Sequence, residues 1–293
     1  TLPADDPLFV AEFNPDLAGL ENPDLMRSRA LILENVDGFD QPPVFRGVPH
    51  IFDLAFTAPF GWSGTVANLR DFAVNAIVQH SPRTLNRVSG VDFRFPTDHE
   101  LDALEAFMLS VVLPPDQNFD VQAFVTSPAQ QRGLELFFGR ATCSECHNGP
   151  VLAGGSFNTG IVNLPVSTTP PRECDPPCPA IGPREAGGQR EFNVPPLFGL
   201  KNTAPFFHDN SVATLHDAVA FYTSAQFNAS PGATCVGGIE LSPAEIDDIT
   251  AFFRAFEGME PGFRSRAAAV SMLLRDRDSA FVIVTSPRAS ALG

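Results

Sequence analysis

The chain has 293 residues, 44% hydrophobic and 18% charged, with a formal net charge of −15. That length accommodates two domains of ordinary size. No apolar run reaches the roughly 18 residues of a membrane span, and the acidity excludes a nucleic-acid partner, which needs clustered Lys and Arg. A partner with a basic face fits, although acidity alone is mostly a solubility feature. There are 27 Phe residues beside one Trp, Trp62, and one Tyr, Tyr222. The lone phenolic oxygen invites a specific role; the alternative is a rim tyrosine in water. The first residue is Thr1 and no signal-peptide pattern is present, so upstream processing or truncation is expected.

In chain order, the stretch from Val48 to Ala73, VPHIFDLAFTAPFGWSGTVANLRDFA, matches that from Val194 to Val219, VPPLFGLKNTAPFFHDNSVATLHDAV. The two TAPF segments lie 146 residues apart. Downstream, FPTDHELDALEAFMLSV parallels LSPAEIDDITAFFRAF. Both read as amphipathic helices opened by a capping box, Thr97 with Glu100 and Ser242 with Glu245. Leu101, Leu104, Phe107 and Met108 keep helical spacing, as do Ile246, Ile249, Phe252 and Phe253. The chain therefore carries an internal repeat of domain size. A further helix is predicted from Ser127-Pro128, with Gln130 at the capping-box position, to Phe138. From Asn148 to Pro196 periodicity is lost; a stretch that long has to wrap something, and a haem is large enough to serve as the missing core. Beyond Gly262, RSRAAAVSMLLRDR suggests a helix and AFVIVTSP a strand.

The five cysteines are Cys143, Cys146, Cys174, Cys178 and Cys235. The first two, with His147, form C-x-x-C-H. Two thiols three positions apart can add to the vinyl groups of one porphyrin while the adjacent imidazole reaches the iron. A redox dithiol would want a βαβ context and zinc a regular second ligand pair, and neither is present. Covalent haem c is the reading. At most one disulfide remains: Cys235 with Cys174 or Cys178 is favoured over Cys174 with Cys178, and three reduced thiols are the alternative.

With CSECHNGP, TAPFFHDN, TLHDAVAFY and LSPAEIDDITAFFRAF in place, residues 8 to 260 resemble the bacterial dihaem cytochrome c peroxidases and their MauG-like relatives. The resemblance implies an all-α fold of two cytochrome c-like domains, each with a haem, long irregular loops, and a calcium ion between them. The expected division is 1–126 for a first domain lacking its own C-x-x-C-H in this chain, 127–262 for the c-type haem domain, and 263–293 for a tail of unassigned role. His147 matches the proximal iron ligand. Seventeen residues beyond Pro205, where the peroxidases place Met and MauG-like members Tyr, stands Tyr222, which the resemblance makes an axial phenolate. A plain helix-face aromatic, with His208 or water on the iron, is the alternative. Thr203 and Pro205 match residues whose backbone carbonyls hold calcium, or the motif is simply a turn. Trp62 matches the tryptophan that relays charge between the haems, against ordinary core packing.

The family also places an acidic residue over its open haem face. The corresponding IVQHSPRT has no carboxylate, leaving Gln79 or His80 to substitute, His80 being the better proton carrier. The first domain resembles the segment downstream of a haem anchor, so the chain is expected to start after that motif, the first haem being carried by an upstream peptide or another chain; a haemless first domain is the alternative. The implied function is a periplasmic or extracellular oxidoreductase using peroxide or relaying electrons, with a redox partner protein or small electron donor. A non-catalytic electron carrier is the second reading, and a module in which haem only staples the fold is the third.

Overall fold

The computed structural model describes residues 30–34, 44–80, 88–112, 120–161, 191–256 and 262–263. Cys174, Cys178 and the tail from 264 onward lie outside the described residues, as does the disulfide expectation that involves them. The fold is largely helical. Seven helices are described: α1 (Leu69–His80), α2 (Asp98–Ser110), α3 (Pro128–Phe138), α4 (Leu215–Phe221), α5 (Ala225–Asn228), α6 (Pro231–Val236) and α7 (Pro243–Arg254). The all-α expectation needs one adjustment, because three short antiparallel ladders join the loops. Strand β1 (Leu31–Glu34) pairs with β2 (Val44–Gly47), β3 (Val111–Val112) with β6 (Gly262–Phe263), and β4 (Ser156–Phe157) with β5 (Phe192–Asn193). Backbone groups in the long connections find partners this way where no helix is available.

Helix α3 starts where the sequence placed it. Ser127 accepts from the Gln130 N–H and the Gln130 side chain accepts from the Ser127 N–H. Its apolar face crosses α7, and the crossing is close because Gly133 lies against the Asp248 carbonyl of α7; a Cβ there would collide with it. Phe137 then packs on Phe252 and Phe253, with ring centroids 5.5 and 5.8 Å apart. Phe137, Phe252 and Phe256 are fully buried, each worth about 2–3 kcal/mol of apolar burial. Arg132 clamps the crossing at its rim, donating to both Asp248 carboxylate oxygens at 2.8 and 2.7 Å.

The repeat is visible element by element. Three-residue 3-10 turns at Leu54–Phe56 and Leu200–Asn202, isolated bridges Phe60↔Val66 and Phe206↔Val212, and the first residues of α1 and α4 all recur at the same spacing of 146. The copies differ in one place. Helix α1 runs on to His80, whereas α4 stops at Phe221 with Tyr222 as its C-cap.

Between the copies runs a seam of backbone hydrogen bonds. His50 is a side chain that crosses it from the N-terminal region: Nε2 donates to the Phe198 carbonyl at 3.1 Å and Nδ1 accepts from the Phe52 N–H at 3.3 Å. One ring nitrogen must donate and the other accept, so only the neutral imidazole fits. Burial lowers its pKa from 6.5 to about 4.

This packing makes two outcomes testable. Gly133→Ala should lower Tm by roughly 5–10 °C, because the added methyl has to separate α3 from α7; an unchanged Tm would show that the crossing can relax. For His50 the unfolded chain takes up a proton below about pH 6.5 and the folded chain does not. Its contribution is complete above that pH and is lost as pH falls toward 4, by at most about 3 kcal/mol. Urea melts at a series of pH values should show this slope, and His50→Gln should flatten it.

Candidate haem site

Five residues beyond α3 the chain turns into the cavity. Thr142 takes a left-handed backbone (φ 51°) at the head of the 3-10 turn Cys143–Glu145, a conformation that costs a non-glycine residue and clusters at functional sites. The cleft it opens has a cavity volume of about 150 Å3, or about 1250 Å3 of atom-free space with the open solvent at its mouth counted. Cys143, Cys146, His147 and Tyr222 all line it, among hydrocarbon walls such as Leu197, Phe206, Val219 and Ile249. Residues as distant in sequence as Cys143 and Tyr222 thus share one enclosed space.

His147 is held in one tautomer. Its Nδ1–H donates to the Leu152 carbonyl at 3.0 Å, which leaves Nε2 as the nitrogen with a free lone pair. Leu152 itself has φ 55°, so the chain bends unfavourably to present that carbonyl. Burial keeps the ring neutral, its pKa lowered to about 4; a neutral imidazole is the form that binds a metal. Burial also pushes the Cys143 thiol up to about 12 and Cys146 up to about 11, Cys235 adding to the second. Redox-active C-x-x-C pairs lower a thiol pKa instead.

Tyr222 caps the break after α4 and is enclosed by aromatic rings, Phe227 at 5.0 Å, Phe221 at 5.6 Å and Phe207 at 6.3 Å. Burial, followed by the two neighbouring thiols, raises its pKa above the ordinary value. Without a cation nearby the phenol stays protonated. The donor set fits a covalently attached haem: two thiols for its vinyl groups, an oriented imidazole and an oxygen donor for its iron, and apolar walls for its faces. Thr142 Oγ1 adds a buried hydroxyl in the same lining with no hydrogen-bond partner in the protein.

Trp62 belongs to the same lining, although it comes from the N-terminal copy. Its indole Nε1 donates to the Gly47 carbonyl at 2.7 Å, and the Gly47 N–H donates to the His208 carbonyl at 2.7 Å. His208 is 2% exposed and stacks on Phe192 with centroids 3.7 Å apart. Its ring is engaged in packing at the cavity wall. Thr203 caps the 3-10 turn before Pro205, its N–H donating to the Leu200 carbonyl at 3.1 Å and its Oγ1 to the Gly199 carbonyl at 3.1 Å. The turn is thus internally satisfied, and among the described residues no group of three or more His, Cys, Asp or Glu could hold a metal ion. His80 is the last residue of α1, and its imidazole lies outside the described part of the structure.

The sequence reading missed three residues at this junction. Arg46 is buried with its guanidinium 5.5 Å from the Phe192 ring centroid. Asp209 is fully buried, and burial raises its carboxyl pKa against the opposing hydrogen bonds from Ser211, with the charge of Arg46 a smaller opposing pull. Asn193 joins the two copies through hydrogen bonds to the carbonyls of Pro59, Gly61 and Trp62. An Arg in a short hydrophobic strand was the one signal on offer; Asn193 stands in a Gly- and Pro-rich stretch without any.

Comparison with known proteins gives the family. No family model matches the chain. Over 241 residues it is 30% identical to cytochrome c551 peroxidase of Pseudomonas aeruginosa, covering 74% of this chain and 66% of that protein. It is 32% identical to cytochrome c551 peroxidase of Nitrosomonas europaea over 136 residues, covering 45% of this chain and 35% of that protein. It is 24% identical to methylamine utilization protein MauG of Methylorubrum extorquens over 283 residues, 86% of this chain and 75% of that protein. Among solved structures, a MauG-like protein associated with microbial copper homeostasis aligns at 20% identity with a TM-score of 0.49, over 72% of this chain and 73% of that one. The chain thus spans 66% or less of the length of the two peroxidases. With C-x-x-C-H at the cavity and these relatives along its length, the chain belongs to the dihaem cytochrome c peroxidase and MauG-like family.

Proposed function

We propose that the chain is a c-type haem oxidoreductase of the dihaem peroxidase/MauG-like type, using peroxide or relaying electrons through a haem on His147 and Tyr222. One observation carries this reading: two thiols, a tautomer-locked imidazole and a buried phenol share a single apolar cavity. A haem bound there supplies a redox-active iron, and the chain supplies its surroundings. Cys143 and Cys146 anchor it through thioethers. The Leu152 carbonyl holds the Nδ1 proton of His147 and so presents Nε2. An anionic oxygen from Tyr222 favours ferric and higher iron over ferrous. Apolar walls keep water from that oxygen. Trp62 in the cavity lining couples the site to the N-terminal region, and His80 carries a proton at the end of α1.

The division into 1–126, 127–262 and a tail 263–293 belongs to the same proposal. The element-by-element repeat supports it, as does the face of α2. Leu104 and Phe107 are 40% and 52% exposed, while Ile249 and Phe252, their counterparts on α7, are 1% and 0% exposed under α3. That contrast fits a first domain whose own α3-like helix and C-x-x-C-H come from a peptide or chain outside these residues. We also propose backbone carbonyls of Thr203 and Pro205 as calcium ligands, a redox protein or small electron donor as partner, and a periplasmic or extracellular location. Among the described residues no helix is long and apolar enough to cross a membrane.

The second reading, an electron carrier without catalysis, is favoured by the absence of a carboxylate from Ile77 to Thr84. Peroxide turnover by the natural full-length protein with an artificial donor separates the two, since a carrier gives none. Two further outcomes are expected. Denatured protein should keep its haem in intact-mass measurements, and Cys143→Ala with Cys146→Ala should lose it from this region. Tyr222→Phe should change the ferric absorption spectrum and raise the reduction potential; an unchanged spectrum would eliminate the phenolate.

A further inference from the structure

The loop that carries Trp62 is held against the C-terminal region by Asn193, through its side chain and its backbone N–H. Asn193 Nδ2 donates to the carbonyl oxygens of Pro59 at 2.6 Å and Gly61 at 2.7 Å. The Asn193 backbone N–H donates to the carbonyl of Trp62 itself at 2.8 Å. Its Oδ1 accepts from Ser156 Oγ at 2.7 Å, which ties the amide to β4. Both amide hydrogens and the amide oxygen are therefore in use, and the loop comes so near that a Cβ on Gly64 would stand 2.7 Å from Oδ1. On the opposite side the Trp62 indole is pinned to Gly47. Asn193 and Trp62 line the cavity together.

We propose that Asn193 is a positioning residue that sets where the Trp62 indole stands relative to the cavity, and so governs how well that ring exchanges electrons with a group bound there. The proposal deepens the reading of the cavity as a haem site with Trp62 in its lining, and rests on it. The chemistry of the side chain explains the choice of residue. Only a primary amide offers two donors to adjacent carbonyls and one acceptor behind them. Aspartate would face two carbonyl oxygens with negative charge. Alanine would remove the donor to the Pro59 carbonyl and leave the Gly61 carbonyl with the Gly64 N–H alone, at 3.1 Å. Neither change touches Cys143, Cys146, His147 or Tyr222. A displacement of about 1 Å in a reacting group costs on the order of a hundredfold in rate, so a loosened loop should show in transfer kinetics.

Trp62 is the sole tryptophan of the chain, so in these 293 residues its fluorescence reports one site. The test uses the haem-loaded chain and its Asn193→Ala and Asn193→Asp variants, with haem-to-protein ratio and far-UV circular dichroism measured alongside. Expected are a several-fold rise in the quenched indole emission and a red-shifted maximum, with haem content and helicity kept. Ser156→Ala, which frees only the amide oxygen, should give a smaller change in the same direction and serves if Asn193→Ala fails to fold. Unchanged emission intensity and maximum in the folded variants would overturn the proposal. Displaced emission with unaltered electron-transfer rates would leave the positioning of the indole standing, overturn its control of transfer and remove the relay role of Trp62.

Discussion

The close crossing of α3 and α7 is the constraint on which the site depends. It exists because residue 133 has no side chain and the Asp248 carbonyl can occupy that space. Once the helices meet there, Phe137, Phe252 and Phe256 close over one another, and the Arg132–Asp248 pair fixes the register at the rim. The turn that follows α3 then brings the two thiols and the imidazole into the lining of the cavity. A looser crossing would displace all three together.

The second constraint is the seam between the two copies, and it is built largely from backbone. His50, Gly47 and the Trp62 loop meet the C-terminal region through the carbonyls and N–H groups of Phe198, His208 and Asn193. Buried side-chain charge enters where Arg46 lies over Phe192 and acts on Asp209. Backbone hydrogen bonds are short and directional, which fixes the Trp62 indole in the cavity lining more firmly than apolar contact alone. The two TAPF loops therefore do different work: the second lends its His208 carbonyl to the seam, and the first presents Trp62.

The copies also show how a repeat acquires a site. At matched positions α1 continues through Ala76 while α4 ends and turns at Tyr222. Tyr222 keeps helical dihedrals at that C-cap (φ −70°, ψ −11°) and lines the cavity.

Much of this was legible before any fold was known, because it rests on local spacing. C-x-x-C-H places two thiols and an imidazole within five residues of one another. The capping boxes at Ser127, Thr97 and Ser242 announce helix starts through hydrogen bonds made within four residues, and the repeat announces itself by simple recurrence. The lone Tyr and lone Trp were conspicuous by composition. What the tertiary structure decided are the contacts between distant segments: that Tyr222 and His147 share a cavity, that Trp62 crosses from the other copy to join them, and that Asn193 and His50 bridge the seam. A hydrogen bond such as that from Asn193 to the Trp62 carbonyl leaves no periodicity in either segment. Its energy depends on where the chain brings the two groups and not on the residues that flank each in sequence.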